Sequence, residues 1–187
     1  MRSRLKAERS AKRLRWRGVV SSRGEATESV PVTGDVVLVS RGGRHRWLVF
    51  RCPCGCGEEL PINLDPRAGP AWRLWHPGDE LTLYPSVWRE SNCESHFIVR
   101  RGSVWIVERS SWFDEDSAVD RSLVDAVSEV LGFEFTHFSR IADQLEKEPW
   151  DVLDALRTLQ RSGLAQEGGG ERLGSFRRPG RGARSRS

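Results

Sequence analysis

No run of eighteen apolar residues interrupts this 187-residue chain, which argues against a membrane-spanning helix. Its basic start lacks the apolar stretch of a secretory signal, so a cytoplasmic protein is expected. Cysteine is scarce: Cys52, Cys54, Cys56 and Cys93 are all there is. In a reducing compartment, thiols clustered this closely favour a metal over a disulfide framework. Also missing are the Cys-x-x-Cys of thioredoxin-like sites, the His-Glu-x-x-His of metalloproteases and the His-x-Glu with Pro-Cys-x-x-Cys of zinc deaminases. Finally, the middle of the chain lacks excess positive charge. Residues 1–24 hold nine Lys/Arg against one acid, and residues 171–187 hold six Arg against one Glu. The intervening residues 25–170 hold fifteen basic and twenty-four acidic side chains. A basic folded face for nucleic acid is therefore not expected, which leaves such contact to the two tails through phosphate charge.

What is there begins with Cys52-Pro-Cys54-Gly-Cys56-Gly, answered forty residues later by Cys93-Glu-Ser-His96. Thiolate and imidazole are the ligands zinc prefers, and two short clusters on separate loops are how small domains assemble a tetrahedral site. The candidate ligands are Cys52, Cys54, Cys56, Cys93 and His96, five for a shell of four. Gly55 and Gly57 permit the positive φ of a zinc-knuckle turn. Cys54 is the expected spare, because Cys-x-Cys side chains diverge in extended backbone. A shell filled by sulfur and nitrogen leaves no place for water, so the Zn2+ is expected to be structural. An open shell would instead make Glu58 or Glu94, each beside a ligand, a general base.

The pattern along the chain is α+β. Residues 1–24 read as a basic tail. Short β runs are expected at Asp35–Ser40, Arg46–Cys52, Glu59–Asn63, Glu80–Tyr84, His96–Arg101 and Ser103–Glu108, within a β-rich zinc domain over 30–113. Trp47, Trp72, Trp75, Trp88, Trp105 and Trp112 lie in the same stretch, and large aromatics suit a small unit that leans on a metal. Past an acidic linker at 114–116, Leu123, Val124, Val127, Val130 and Leu131 recur at helical spacing. Further helices are expected over Phe138–Glu146 and from Pro149 to Arg161, stopped by Gly163 and followed by a short strand at 164–166. This order over 118–167 resembles a winged helix. Its third helix carries Asp151 and Asp154, and residues 112–170 hold thirteen acids against five bases, which opposes DNA docking. Residues 168–187 are rich in Gly, Arg and Ser and read as a disordered tail.

Four ordered blocks carry a resemblance: Trp47-Leu-Val-Phe-Arg-Cys-Pro-Cys-Gly-Cys-Gly-Glu58, Leu83-Tyr-Pro-Ser-Val-Trp88, Cys93-x-Ser-His-Phe97 and Arg100-Arg-Gly102. Over about residues 34–108 the chain resembles a bacterial domain of unknown function, family 6527. That resemblance implies a predicted metal-binding protein, with the ligand role falling on Cys52, Cys54, Cys56, Cys93 and His96. It also implies a setting beside ubiquitin-like modifiers and their conjugating enzymes. Pro85, Ser86 and Trp88 match one of its blocks without an attached role. The expectation is a zinc-binding accessory or adaptor that meets a protein of a ubiquitin-like system. The alternatives are a zinc hydrolase, or a DNA-associated regulator that works through the helical unit and the tails.

Overall fold

A computed structural model describes residues 12–90, 93–106 and 119–180. The chain divides into two units, residues 1–112 and 113–187. In chain order the first holds β1 (Lys12–Arg13), β2 (Arg15–Val20), α1 (Arg23–Ser29), β3 (Asp35–Arg41), β4 (Arg44–Arg51), β5 (Glu59–Asn63), β6 (Arg73–Trp75), β7 (Thr82–Trp88), β8 (His96–Arg100) and β9 (Ser103–Ile106). They form two sheets, ordered β2-β3-β4-β5 and β1-β9-β8-β7-β6. All neighbours run antiparallel except β2 and β3, which are parallel.

The run Val36-Val-Leu-Val39 in β3 has no polar alternation, because both faces of its sheet are covered. Val36 and Leu38 join Leu48, Phe50, Leu60 and Ile62 in a core shared with Leu83, Val87, Phe97, Val99 and Val104 of the second sheet. Phe50 meets Phe97 edge-on across this core, ring centres 5.8 Å apart. Val37, Val39 and Val49 point the other way and pack on Ala26 and Val30 of the α1 segment. A period of two thus serves two cores from one strand.

Residues 12–20 depart from the expected basic tail. They form β1 and β2, and their arginines are spent inside the unit. Arg15 and Arg17 each place Nε 2.9 Å from Oδ1 of Asp35, whose side chain is wholly buried. Burial opposes ionisation of Asp35, but the Arg17 bond, the Val32 N–H and Arg15 outweigh it and hold the carboxyl below its ordinary range. Arg23 pairs with Glu59 at 3.0 Å and lies over the Trp47 ring.

The second unit runs α2 (Arg121–Val130), β10 (Thr136–His137), α3 (Phe138–Leu145), α4 (Pro149–Arg161), β11 (Gln166–Glu167) and β12 (Ser175–Arg177), with sheet order β10-β12-β11. Asp120 caps α2 by accepting from Ser122 N–H at 2.9 Å. α4 packs on both α2 and α3, burying Val152, Leu153, Leu156 and Leu159. The expected disordered tail is also built differently. Phe176 is fully buried, Arg177 and Arg172 cover the Phe135 ring at 4.5 and 5.3 Å, and Arg178 N–H donates to Gly132 O at 2.7 Å. The Arg178 guanidinium donates to carbonyls at the C-terminal end of α2, where the helix dipole favours a cation. Residues 1–11, the 114–116 linker, the end of the expected strand to Glu108, and residues 181–187 lie outside the described residues. No helix among the described residues is long and apolar enough to cross a membrane.

Candidate functional site: a thiol cluster beside a serine–histidine pair

β4 ends at Arg51, and the chain turns at once. Cys52 N–H donates to Glu58 O at 2.8 Å and Gly55 N–H to Cys52 O at 3.1 Å. Gly55 and Gly57 hold φ of 97° and 81°, the left-handed region this turn requires. Because residues 52–57 form a turn instead of a strand, the side-chain alternation expected to send Cys54 away does not apply. Cys52 and Cys54 place their Sγ atoms 3.3 Å apart, and Cys56 N–H donates to the Cys54 sulfur at 3.4 Å. Cys93 arrives from the β7–β8 connection, its Sγ 3.7 Å from that of Cys52. All four sulfurs lie within 4.8 Å of one another, and all four thiols are free. Sulfurs about 2.3 Å from a tetrahedral ion stand about 3.8 Å apart, so this group could hold a metal ion.

The surroundings of the four thiols differ. Burial pushes the Cys52 thiol up to about 12. The Ser95 hydroxyl, 3.1 Å from the Cys93 sulfur, and the Ser95 N–H bring Cys93 down to about 6. Arg89 donates to Glu58 Oε2 at 2.6 Å, and its own N–H donates to Ser95 O at 3.0 Å. Its guanidinium pKa is raised first by that Glu58 bond and then by the negative charge available at Cys93 and Cys52. Glu58 is therefore engaged in an ion pair. Glu94 is exposed and sits at a φ of 47° in the connection that carries Cys93.

His96 stands outside the four-sulfur group. It opens β8, and its Nε2 lies 2.9 Å from Ser86 Oγ on β7. The β7–β8 register explains the meeting. Trp88 pairs with His96 and Val87 with Phe97, but the next match is Leu83 with Val99, so a bulge occupies Tyr84 to Ser86. Ser86 and Trp88, two residues apart, share a face with His96, while Val87 and Phe97 turn into the core. Burial holds the His96 imidazole below its ordinary pKa, leaving it neutral at pH 7 and able to accept a proton. Its ring lies 6.1 Å from that of Trp88. Trp72 Nε1 donates to Ser86 O at 3.3 Å, fixing the bulge from outside. A serine hydroxyl against a neutral imidazole is the minimal apparatus for nucleophilic acyl transfer.

Ser86 is the residue that sequence reasoning passed over. Its signal was the Pro85-Ser86-x-Trp88 block preceding Ser95-His96-Phe97, visible in the sequence but without a register to join the two.

No curated protein and no solved structure matches the chain. One family model does, over residues 22–107, a span that contains all four cysteines together with Ser86 and His96. It bears a different description from family 6527 and retains the ubiquitin-like setting: bacterial ubiquitination-like system serine protease (BubE).

Proposed function

We propose that the first unit is a serine-type peptidase acting on a protein of a ubiquitin-like system, with Ser86 as nucleophile and His96 as general base. The observation that carries this reading is the 2.9 Å approach of Ser86 Oγ to His96 Nε2, inside the span matched by a serine protease model. Ser86 Oγ attacks the scissile carbonyl carbon as His96 Nε2 takes its proton. The C–N bond then breaks, and the imidazolium returns the proton to the departing amine. Water enters, gives a proton to His96 and its oxygen to the acyl carbon, and releases Ser86 with its proton restored.

Zinc is the proposed occupant of Cys52, Cys54, Cys56 and Cys93, since four thiolates in a tetrahedral grouping suit a closed structural site. Bound there, it would tie the turn after β4 to the β7–β8 connection. A zinc hydrolase using Glu58 or Glu94 fits less well, because four thiolates leave no position for water and Glu58 is held by Arg89. In the second unit, the order helix, strand, two helices and two further strands supports a winged-helix reading. Its acidic composition suits protein contact better than DNA, in keeping with an accessory role for that half, and reduced thiols suit the cytoplasm.

The test is labelling of the purified full chain with a fluorophosphonate, followed by peptide mass spectrometry. The expected adduct sits on Ser86, disappears in Ser86→Ala, and forms at least ~10³-fold more slowly in His96→Ala. A folded protein that takes up no label on Ser86 refutes the proposal.

A further inference from the structure

Ser86 sits on a strand whose outer edge meets no other strand beyond Tyr84 among the described residues. β6 pairs with β7 from Thr82 to Tyr84 and goes no further. Arg89 N–H donates to Ser95 O at 3.0 Å, which makes Trp88 and His96 a pair without mutual hydrogen bonds. In such a pair the N–H and C=O of each residue point away from the other strand. The Trp88 backbone groups therefore face the outer edge, where no strand meets them among the described residues. Ser86 O faces the same way, as its bond from Trp72 Nε1 shows. Above this edge the Trp88 indole stands 68 % exposed, a large apolar surface beside the imidazole of the reacting pair.

An outward N–H and C=O on one residue are the complement of a peptide backbone, and an exposed aromatic beside them is the complement of one of its side chains. We infer that the substrate enters as an extended peptide segment that adds to the outer edge of β7, paired to the backbone of Trp88 and gripped by its indole. At Ser86, about 7 Å along, the Trp72 indole already takes the strand carbonyl, so a segment paired to Trp88 leaves the edge there and passes over the Ser86 hydroxyl, which brings a peptide carbonyl to the nucleophile. Trp88 then reads the substrate, and the peptidase acts on a segment that can be presented in extended form, such as a loop or a tail. This inference rests on the peptidase reading of Ser86 and His96.

The experiment compares two probes with one reactive group on the full chain: an acetylaminomethyl diphenyl phosphonate of a single residue, and a mixture of tetrapeptidyl diphenyl phosphonates. In both, a bond forms between Ser86 Oγ and phosphorus, phenoxide leaves, and the hydroxyl proton passes through His96 to the phenoxide. The measured quantity is the ratio of labelling rates, peptidyl over single-residue, which cancels any change in the reacting pair itself. Wild type is expected to favour the peptidyl probe, and Trp88→Ala to lower that ratio about tenfold. Trp88→Pro, which also removes the outward N–H without touching a β8 bond, should lower it further, and Trp88→Phe should restore most of it. Should Trp88→Pro not fold, Trp88→Ala and Trp88→Phe decide the matter. Equal rates for both probes in wild type, or a ratio unchanged in Trp88→Ala, overturns the edge while leaving the peptidase intact. Failure of both probes to label Ser86 overturns the peptidase and the edge together.

Discussion

The two units of this chain are held together by different physics. Beside its apolar core, the first carries groups that can be titrated or oxidised: a wholly buried carboxylate between two arginines, four thiols within 4.8 Å, and an ion pair of Glu58 with Arg89. The second relies on apolar side chains, with Trp150, Leu156 and Phe176 buried among three helices and a small sheet. Reactive chemistry and sensitivity to conditions therefore travel together in the first unit. The second should be indifferent to chelators, while its Asp120 cap and half-buried His137 still leave it a response to acid. The first unit adds these polar staples to a two-sheet core of its own, whereas the second shows no thiol cluster among the described residues and rests on its apolar packing.

The sharpest way to break this contrast is through the thiols. Cys52→Ser removes the buried member of the cluster, and chelation of the wild type removes any ion it holds. Either should strip the metal found by elemental analysis and collapse the first unit's melting transition, since a structural zinc contributes on the order of 10 kcal/mol to its fold. The second unit's transition should stay in place, and a shift of both transitions together would show that the contrast is wrong. The converse experiment is Leu156→Ala, which opens a cavity in the helical core and should cost about 2–5 kcal/mol in the second unit only. Denaturant melts followed by labelling of Ser86 would show the reacting pair undisturbed.

The smallest effect comes from one carboxylate of the first unit. Asp35 has a folded-state pKa held below its unfolded value near 4, so it binds fewer protons folded than unfolded in that range. Its stabilisation is complete above the unfolded value and is lost as pH falls through the folded one. Asp35→Asn should lower the first unit's stability at pH 7 by about 1–3 kcal/mol. It should also flatten that unit's pH dependence between pH 5 and pH 2, as read by urea midpoints. An unchanged acid slope would show that Arg15 and Arg17 do not act through Asp35.

How much of this was legible in the chain depends on the distance over which the information is spread. The helices at 121–130, 138–145 and 149–161 could be read because spacing within a dozen residues specifies them, and the thiol cluster because the chain holds no cysteine outside its two short groups. Ser86 could not, because its partnership with His96 depends on a bulge and a strand register, and Pro85 breaks the β pattern on which it sits. The arginines at 15, 17 and 178 read as tail charge, since nothing local reveals that Asp35 or the end of α2 awaits them. Phe176 shows the same limit: a fully buried aromatic, strand pairing and arginine contacts lie in a stretch whose average composition predicts disorder.

The alternation at Ser86, Val87 and Trp88 carries an evolutionary consequence. Val87 is buried at 3 % and locked to the core, while its two neighbours project from the opposite face. On the proposed reading, selection for folding acts on Val87 and selection for reaction on Ser86, which leaves Trp88 alone to drift. Preference can then change at one outward position while the frame and the nucleophile stay put.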